Sequence, residues 1–381
     1  MRRLLIGLTA ALFTASSILA QDPGRTRLYV GTYTGPKSKG IYLFEMDANT
    51  GKLVDLGPVA ETPNPTFLAI HPTKPLLYAV NEVGSFEKQP TGAVAAFRID
   101  EADGKLTLLN RQSSGGGGPC HLILDKAAKN VLVANYGGGS VASLPIQEDG
   151  KLAAPTSVIK HVGTSANPSR QKEPYAHSIN LDPANRFAFA ADLGTDHVYS
   201  YRFDPVKGTL AANDPVGVKL VPGSGPRHFA FHPNGKNAFV INELLLTLTS
   251  FAYDADKGVL TQIESLSTLP ANTRPIGSTA EVIVHPTGKW VFGSNRGHNT
   301  IAVFAFDADK AKLTHVGNYG DTVKEPRNFV LDPTGNFILV GNQNGQSITV
   351  FRLNQSTGEL TRVGEPTPCP TPVCLRFRTK A

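Results

Sequence analysis

The stretch Phe229-Ala-Phe-His-Pro-Asn-Gly-Lys-Asn-Ala-Phe-Val-Ile-Asn242 is two short apolar runs joined by a His-Pro-Asn-Gly turn. Proline fixes φ for chain reversal and glycine accepts the left-handed conformation, so the runs fold back as an antiparallel hairpin. The pattern returns as Val282-Ile-Val-His-Pro-Thr-Gly-Lys-Trp-Val-Phe-Gly-Ser-Asn295. A second kind of hairpin alternates with it: an apolar run, a polar turn, then Gly-x-Leu. It appears as Phe44…Gly51-Lys52-Leu53, Phe97…Gly104-Lys105-Leu106, Leu144…Gly150-Lys151-Leu152 and Tyr201…Gly208-Thr209-Leu210. Phe251…Gly258-Val259-Leu260, Phe304…Ala311-Lys312-Leu313 and Phe351…Gly358-Glu359-Leu360 complete seven copies, 46 to 58 residues apart. Each unit therefore holds four short strands, and no long stretch has helical periodicity. Seven such units predict an all-β, seven-bladed β-propeller with four antiparallel strands per blade.

The chain ends predict how the ring closes. The first unit begins at Arg27-Leu-Tyr-Val-Gly-Thr and lacks an opening strand, while Pro372-Val-Cys-Leu-Arg-Phe377 is a spare one. The C-terminal strand should complete the N-terminal blade and leave no open sheet edge. Ahead of the repeats, Met1-Arg2-Arg3 precedes an apolar stretch from Leu4 to Leu19 and the small Ala20. This reads as a secretory signal peptide over residues 1–20, with a single propeller domain over residues 21–381. The stretch is short for a membrane span, so no stable membrane insertion is expected after cleavage, and the address is periplasmic or secreted. Without Arg2 and Arg3 the balance is 35 basic against 31 acidic residues, with no basic cluster, which excludes nucleic acid as a partner. Cys120, Cys369 and Cys374 form no metal-ligand or haem-attachment spacing, so no metal or cofactor is expected. A Cys369–Cys374 disulfide is permitted and not required. Oligomeric state is not encoded in any visible pattern.

The repeat also locates its own exceptions. Five residues before the turn His or Asp stand Thr66, Cys120, His177, Arg227, Ala280 and Arg327; four before stand Phe67, His121, Ser178, His228, Glu281 and Asn328. These begin the first strand of each blade. The second strand ends at Asn81-Glu82, Asn135-Tyr136, Asn242-Glu243, Asn295-Arg296 and Asn342-Gln343. Antiparallel neighbours bring both sets to one end of the ring. His177, Arg227, Glu243 and Arg296 break the repeat most clearly and are the candidate catalytic residues. His121, His228, Tyr136, Arg327, Gln343 and Glu82 should converge on the same mouth as substrate-binding residues. The recurring Asn is a backbone-bonding residue, and the His of His-Pro is a turn element on the opposite face.

Several of these segments together resemble the seven-bladed propeller lactonase family: Pro174-Tyr-Ala-His-Ser, Gly225-Pro-Arg-His-Phe, Val240-Ile-Asn-Glu-Leu, Gly293-Ser-Asn-Arg-Gly, Leu28-Tyr-Val-Gly-Thr-Tyr-Thr and Gly117-Gly-Pro-Cys-His-Leu. That family includes a bacterial type of 6-phosphogluconolactonase and the fungal carboxymuconate cyclase. The resemblance runs from about residue 27 to 377. It implies an active centre of one His, two Arg and one Glu, which fall on His177, Arg227, Arg296 and Glu243. Leu245-Leu-Thr-Leu after Glu243 departs from the more polar sequence expected there. The export signal departs further, and argues against 6-phosphogluconolactone itself.

The expected activity is that of a metal-independent enzyme acting on a small anionic lactone or sugar acid. Two guanidinium groups would hold the substrate's anionic group and the developing oxyanion. Glu243 or His177 would move the proton. Hydrolysis and lactonising cycloisomerisation need the same parts. The rival is a non-catalytic periplasmic propeller binding an anionic sugar, a cell-wall fragment or a protein at the same mouth.

Overall fold

The computed structural model describes residues 24–379, so the expected leader lies outside the described residues. Every regular element among them is a strand. The strands form seven antiparallel sheets, each of four strands in hairpin succession; the last also carries the two-residue strand Thr367–Pro368. The first strands of the sheets touch one another around a central channel. In ring order they are Pro372–Arg378 (blade 1), Leu68–Ile70, Pro119–Leu124, Ala176–Leu181, Pro226–Phe231, Gly277–Val284 and Pro326–Leu331 (blade 7).

Closure follows the expected route. Pro372–Arg378 pairs antiparallel with Arg25–Thr32, in a register running from Arg27↔Arg378 to Thr32↔Pro372. The first and last strands of the ring thus satisfy each other's edge groups.

The core lies between blades rather than within them. Phe189 of blade 4 packs with Phe229, Phe251 and Tyr253 of blade 5, and Phe239 of blade 5 packs with Val291 and Phe304 of blade 6. Trp290 and Phe292 of blade 6 meet Phe329 and Phe351 of blade 7, and Phe337 of blade 7 meets Leu28 and Phe44 of blade 1. The second strands, such as Asn237–Asn242, are buried along their whole length because both sheet faces are covered. Each large side chain so buried contributes about 2–3 kcal/mol.

The Gly of Gly-x-Leu serves this packing. Gly258 has φ +69°, and a Cβ there would fall 2.3 Å from the Phe187 ring of the preceding blade; at Gly358 it would strike Trp290. Ala311 adopts the same left-handed backbone in the one copy without glycine. The His-Pro histidines act on the opposite face, where His232 Nε2 donates to the Gly288 carbonyl and His285 Nε2 to that of Gly335. These bonds tie neighbouring blades rather than only shaping a turn.

Candidate active site

The inner strands break register near their start, and the break places the site. In blade 3 pairing passes from Pro119↔Asn135 to His121↔Ala134, which leaves Cys120 unopposed. The same bulge leaves out His177 in blade 4, Arg227 in blade 5 and Arg327 in blade 7, and both Ala280 and Glu281 in blade 6. In a regular strand successive side chains face opposite sides. A bulge re-aims them. Here Cys120, His177 and Arg327 line a pocket of about 270 Å³ at the rim, with Arg227 immediately behind it.

The second strands deliver the rest. Glu82, Tyr136 and Glu243 directly follow strand ends, and Arg296 lies at the end of Trp290–Gly297; Glu82, Tyr136, Glu243 and Arg296 line the same pocket. The preceding asparagines hold this geometry: Asn135 Nδ2 donates to the Ser114 carbonyl and Asn295 Nδ2 to that of Thr268.

Glu243 is the centre of charge. Its Oε2 accepts from Arg227 Nε at 2.9 Å and pairs with Arg296 Nη2 at 3.0 Å, while Oε1 accepts from Arg170 Nη2 at 2.5 Å. Burial alone would raise the carboxyl's pKa, but Arg296, Arg227 and Arg170 outweigh it and bring it down to about 2. Burial, with Arg296 and Arg327 nearby, brings Arg227 down to about 10, so it stays cationic at neutral pH. Both buried guanidinium groups are also fixed by backbone: Arg227 Nη1 donates to the Ala280 carbonyl at 2.8 Å and Arg296 Nη2 to that of Thr279 at 2.7 Å. Arg296 Nε is buried with no acceptor. His177 is held well below the ordinary imidazole range, first by burial and then by Arg227, His228 and Arg327, and is neutral at pH 7. Its Nδ1 lies 3.6 Å from the Cys120 sulfur.

The far wall is a second network. Tyr33 donates to Glu82 at 3.0 Å and accepts from Arg327 Nη2 at 3.1 Å, and Thr66 donates to Glu82 Oε2 at 2.5 Å. Tyr136 stacks on Tyr175 at 4.7 Å between ring centres and meets His177 edge-on.

Three sequence expectations are corrected. His121 does not reach the rim: it lies against Phe67 and lines a cavity of about 560 Å³ in the opposite half of the channel. His228 stands between the two: it lines that cavity, where its Nδ1 meets Glu281 Oε1 at 2.7 Å and Asn328 donates to the other Glu281 oxygen, and its ring lies 5.4 Å from that of His177, behind the rim pocket beside Arg227. The cause is the bulge, which sends each bulged residue rimward and the next one into the channel. Gln343 is half-buried and is not part of the rim pocket. Conversely, sequence reasoning passed over Arg170, Tyr33, Cys120 and Ser278. Arg170 lies on the loop between blades 3 and 4, outside the aligned strand ends. Its trace in the sequence is the 58-residue gap between Gly150 and Gly208, the longest in the repeat. Cys369 and Cys374 are unpaired and buried.

The model of the family described as "Lactonase, 7-bladed beta-propeller" matches residues 27–377. The chain is 35% identical to a 6-phosphogluconolactonase of Bacillus subtilis over 79% of its own length and 84% of the relative's. It is 32% identical to a 6-phosphogluconolactonase of Formosa agariphila, over 80% and 86% of the two chains. Among solved structures it resembles the periplasmic gluconolactonase of Pseudomonas aeruginosa, with TM-score 0.86 and 31% identity, covering 93% of this chain and 99% of that one.

Proposed function

We propose that this chain, which belongs to the seven-bladed β-propeller lactonase family, hydrolyses a sugar-derived lactone in the rim pocket. The observation that carries the reading is Glu243, buried and shared by Arg227 and Arg296, beside the neutral His177. The lactone carbonyl would sit against Arg296, which lines the pocket, with the buried Arg227 behind it adding to the positive field. Arg296 Nε, a buried donor without an acceptor, is available for its oxygen. Because backbone carbonyls already hold both arginines, stabilising the oxyanion requires little reorganisation. His177, being neutral, offers one donor and one acceptor to orient the attacking water. Glu243 takes a proton from that water and returns it to the ring oxygen as the C–O bond breaks, so lactone and water become the hydroxy acid. Ring closure of an unsaturated acid uses the same groups; the lactonase names of the relatives favour hydrolysis.

The expected setting is the periplasm, after removal of residues 1–20. The basic start and apolar run support this, and so does the likeness to the periplasmic gluconolactonase of Pseudomonas aeruginosa. The decisive experiment is turnover of a panel of aldonolactones, with and without a phosphate, by the purified mature protein. Hydrolysis of at least one is expected, with Glu243→Gln inactive. If none reacts but sugar acids bind, the pocket belongs to a binding protein.

A further inference from the structure

Three arginines meet Glu243, and they are not equivalent. Side chains of Arg227 and Arg296 are 2% and 10% exposed, and each is pinned by a carbonyl as well. Arg170 is 41% exposed, and its guanidinium donates to Glu243 Oε1. It sits on a loop whose backbone is anchored on both sides. Before it, Ser165 Oγ donates to Asp196. After it, the fully buried Gln171 donates to Asp196 Oδ1 and to the Leu193 carbonyl, and Tyr175 N donates to Asp192. Asp192 is itself fixed by His161, whose other ring nitrogen meets Tyr201 at 2.6 Å. The loop is therefore held, and what can swing is the Arg170 side chain.

With all three arginines in place, both carboxylate oxygens are engaged. Oε1 keeps a second acceptor site, but the cation held against it makes it a poor base for a water's proton. Release of Arg227 or Arg296 would strand a buried cation, which is costly. Release of Arg170 moves a half-exposed cation into a pocket mouth where a ligand anion can meet it.

We propose that Arg170 is a latch on Glu243 that the substrate's own anionic group withdraws, so that a lactone carrying a phosphate or carboxylate exposes the base that hydrolyses it. The proposal rests on the hydrolase reading of this pocket. Arg170 moves from Glu243 Oε1 to the substrate anion. Oε1 then accepts the water proton as the C–O bond forms, and the proton leaves with the ring oxygen. A neutral lactone must break the same ion pair without replacing it, so the latch selects for charge. Arg227, Arg296 and Arg327 also face Glu243, with Tyr136 beside Arg170. Removal of Arg170 leaves the first two arginines on Oε2.

The test compares δ-gluconolactone with its 6-phosphate, using wild type and Arg170→Ala. For the phosphorylated lactone kcat/KM should fall about 10–100-fold, the range of one lost charge-assisted bond. For the neutral lactone it should rise, because the latch is gone. The acid limb of kcat/KM should also move upward, by roughly one to three pH units, since a carboxylate that loses a neighbouring cation binds its proton more tightly. Equal losses on both lactones, or no change on either, would overturn the latch and leave the hydrolase reading standing. If wild type hydrolyses neither of these lactones nor any other aldonolactone of the panel, the hydrolase reading fails instead. A crystal structure with 6-phosphogluconate bound then decides the latch separately: Arg170 on the phosphate and off Glu243 supports it, and Arg170 still on Glu243 ends it.

Discussion

Glu243→Gln keeps the side chain's shape but removes the charge that three arginines share. Turnover should collapse with little change in KM, because proton transfer is lost while the donors remain. Stability should fall too, by about 3–5 kcal/mol, since two buried guanidinium groups lose their counter-ion; a thermal melt of the variant checks this. Arg227→Ala and Arg296→Ala should each slow hydrolysis by about 10²–10³. The histidines give a separate pH signature. His177, His121 and His228 are all held below the ordinary value of 6.5, in each case mainly by burial. Between that value and their folded values, the unfolded chain binds protons that the folded chain refuses. Stability should therefore be level above about pH 6.5 and decline as the pH drops below it. Glu243 adds to the loss from about pH 4.5 toward 2, because its folded value lies below its unfolded one. Melting temperatures measured across this range should show the slope, and His177→Gln should flatten its upper part.

The bulged inner strand is the element that builds the site. Fold and closure were legible in the sequence because hairpin turns and Gly-x-Leu recur at a readable period. His177, Arg227, Glu243 and Arg296 were legible because they break that period at strand ends. His121 lies in the other half of the channel and His228 behind the rim pocket rather than in it, because a strand end reveals height along the ring axis and says nothing of a register break. Arg170 was illegible for another reason: it enters from a loop, and what fixes that loop is buried polar bonding to Asp192 and Asp196 rather than any repeat. The strand end that carries Glu243 offers a direct test. Glu243 N donates to the Gly225 carbonyl at 2.7 Å; Gly225 has φ +63°, and a Cβ there would lie 2.5 Å from Leu244 Cγ. Gly225→Ala should cost about 1–3 kcal/mol in backbone strain. It should also lower kcat by displacing Glu243, although residue 225 touches no substrate. A kinetic assay beside a melt separates the two effects.

At the scale of the whole ring, each blade stands on its neighbours, so no blade has a complete core of its own. Deleting residues 372–381 exposes the edge of Arg25–Thr32 and uncovers Leu28 and Val30, both fully buried in the intact protein. Cys374 and Leu375 are lost from the core along with them. The expected result is a loss of several kcal/mol, at about 2–3 kcal/mol per large buried side chain, and protease sensitivity of the first blade. An unchanged melt would contradict closure through this strand. The same pairing sets an order in time. Arg27 emerges from the ribosome a whole ring of blades before its partner Arg378. A nascent chain can assemble blades behind it, yet the ring stays unlocked until Pro372–Arg378 arrives. The fold thus defers its own completion, and the pairing of Pro372–Arg378 with Arg25–Thr32 decides when the molecule becomes a rigid ring.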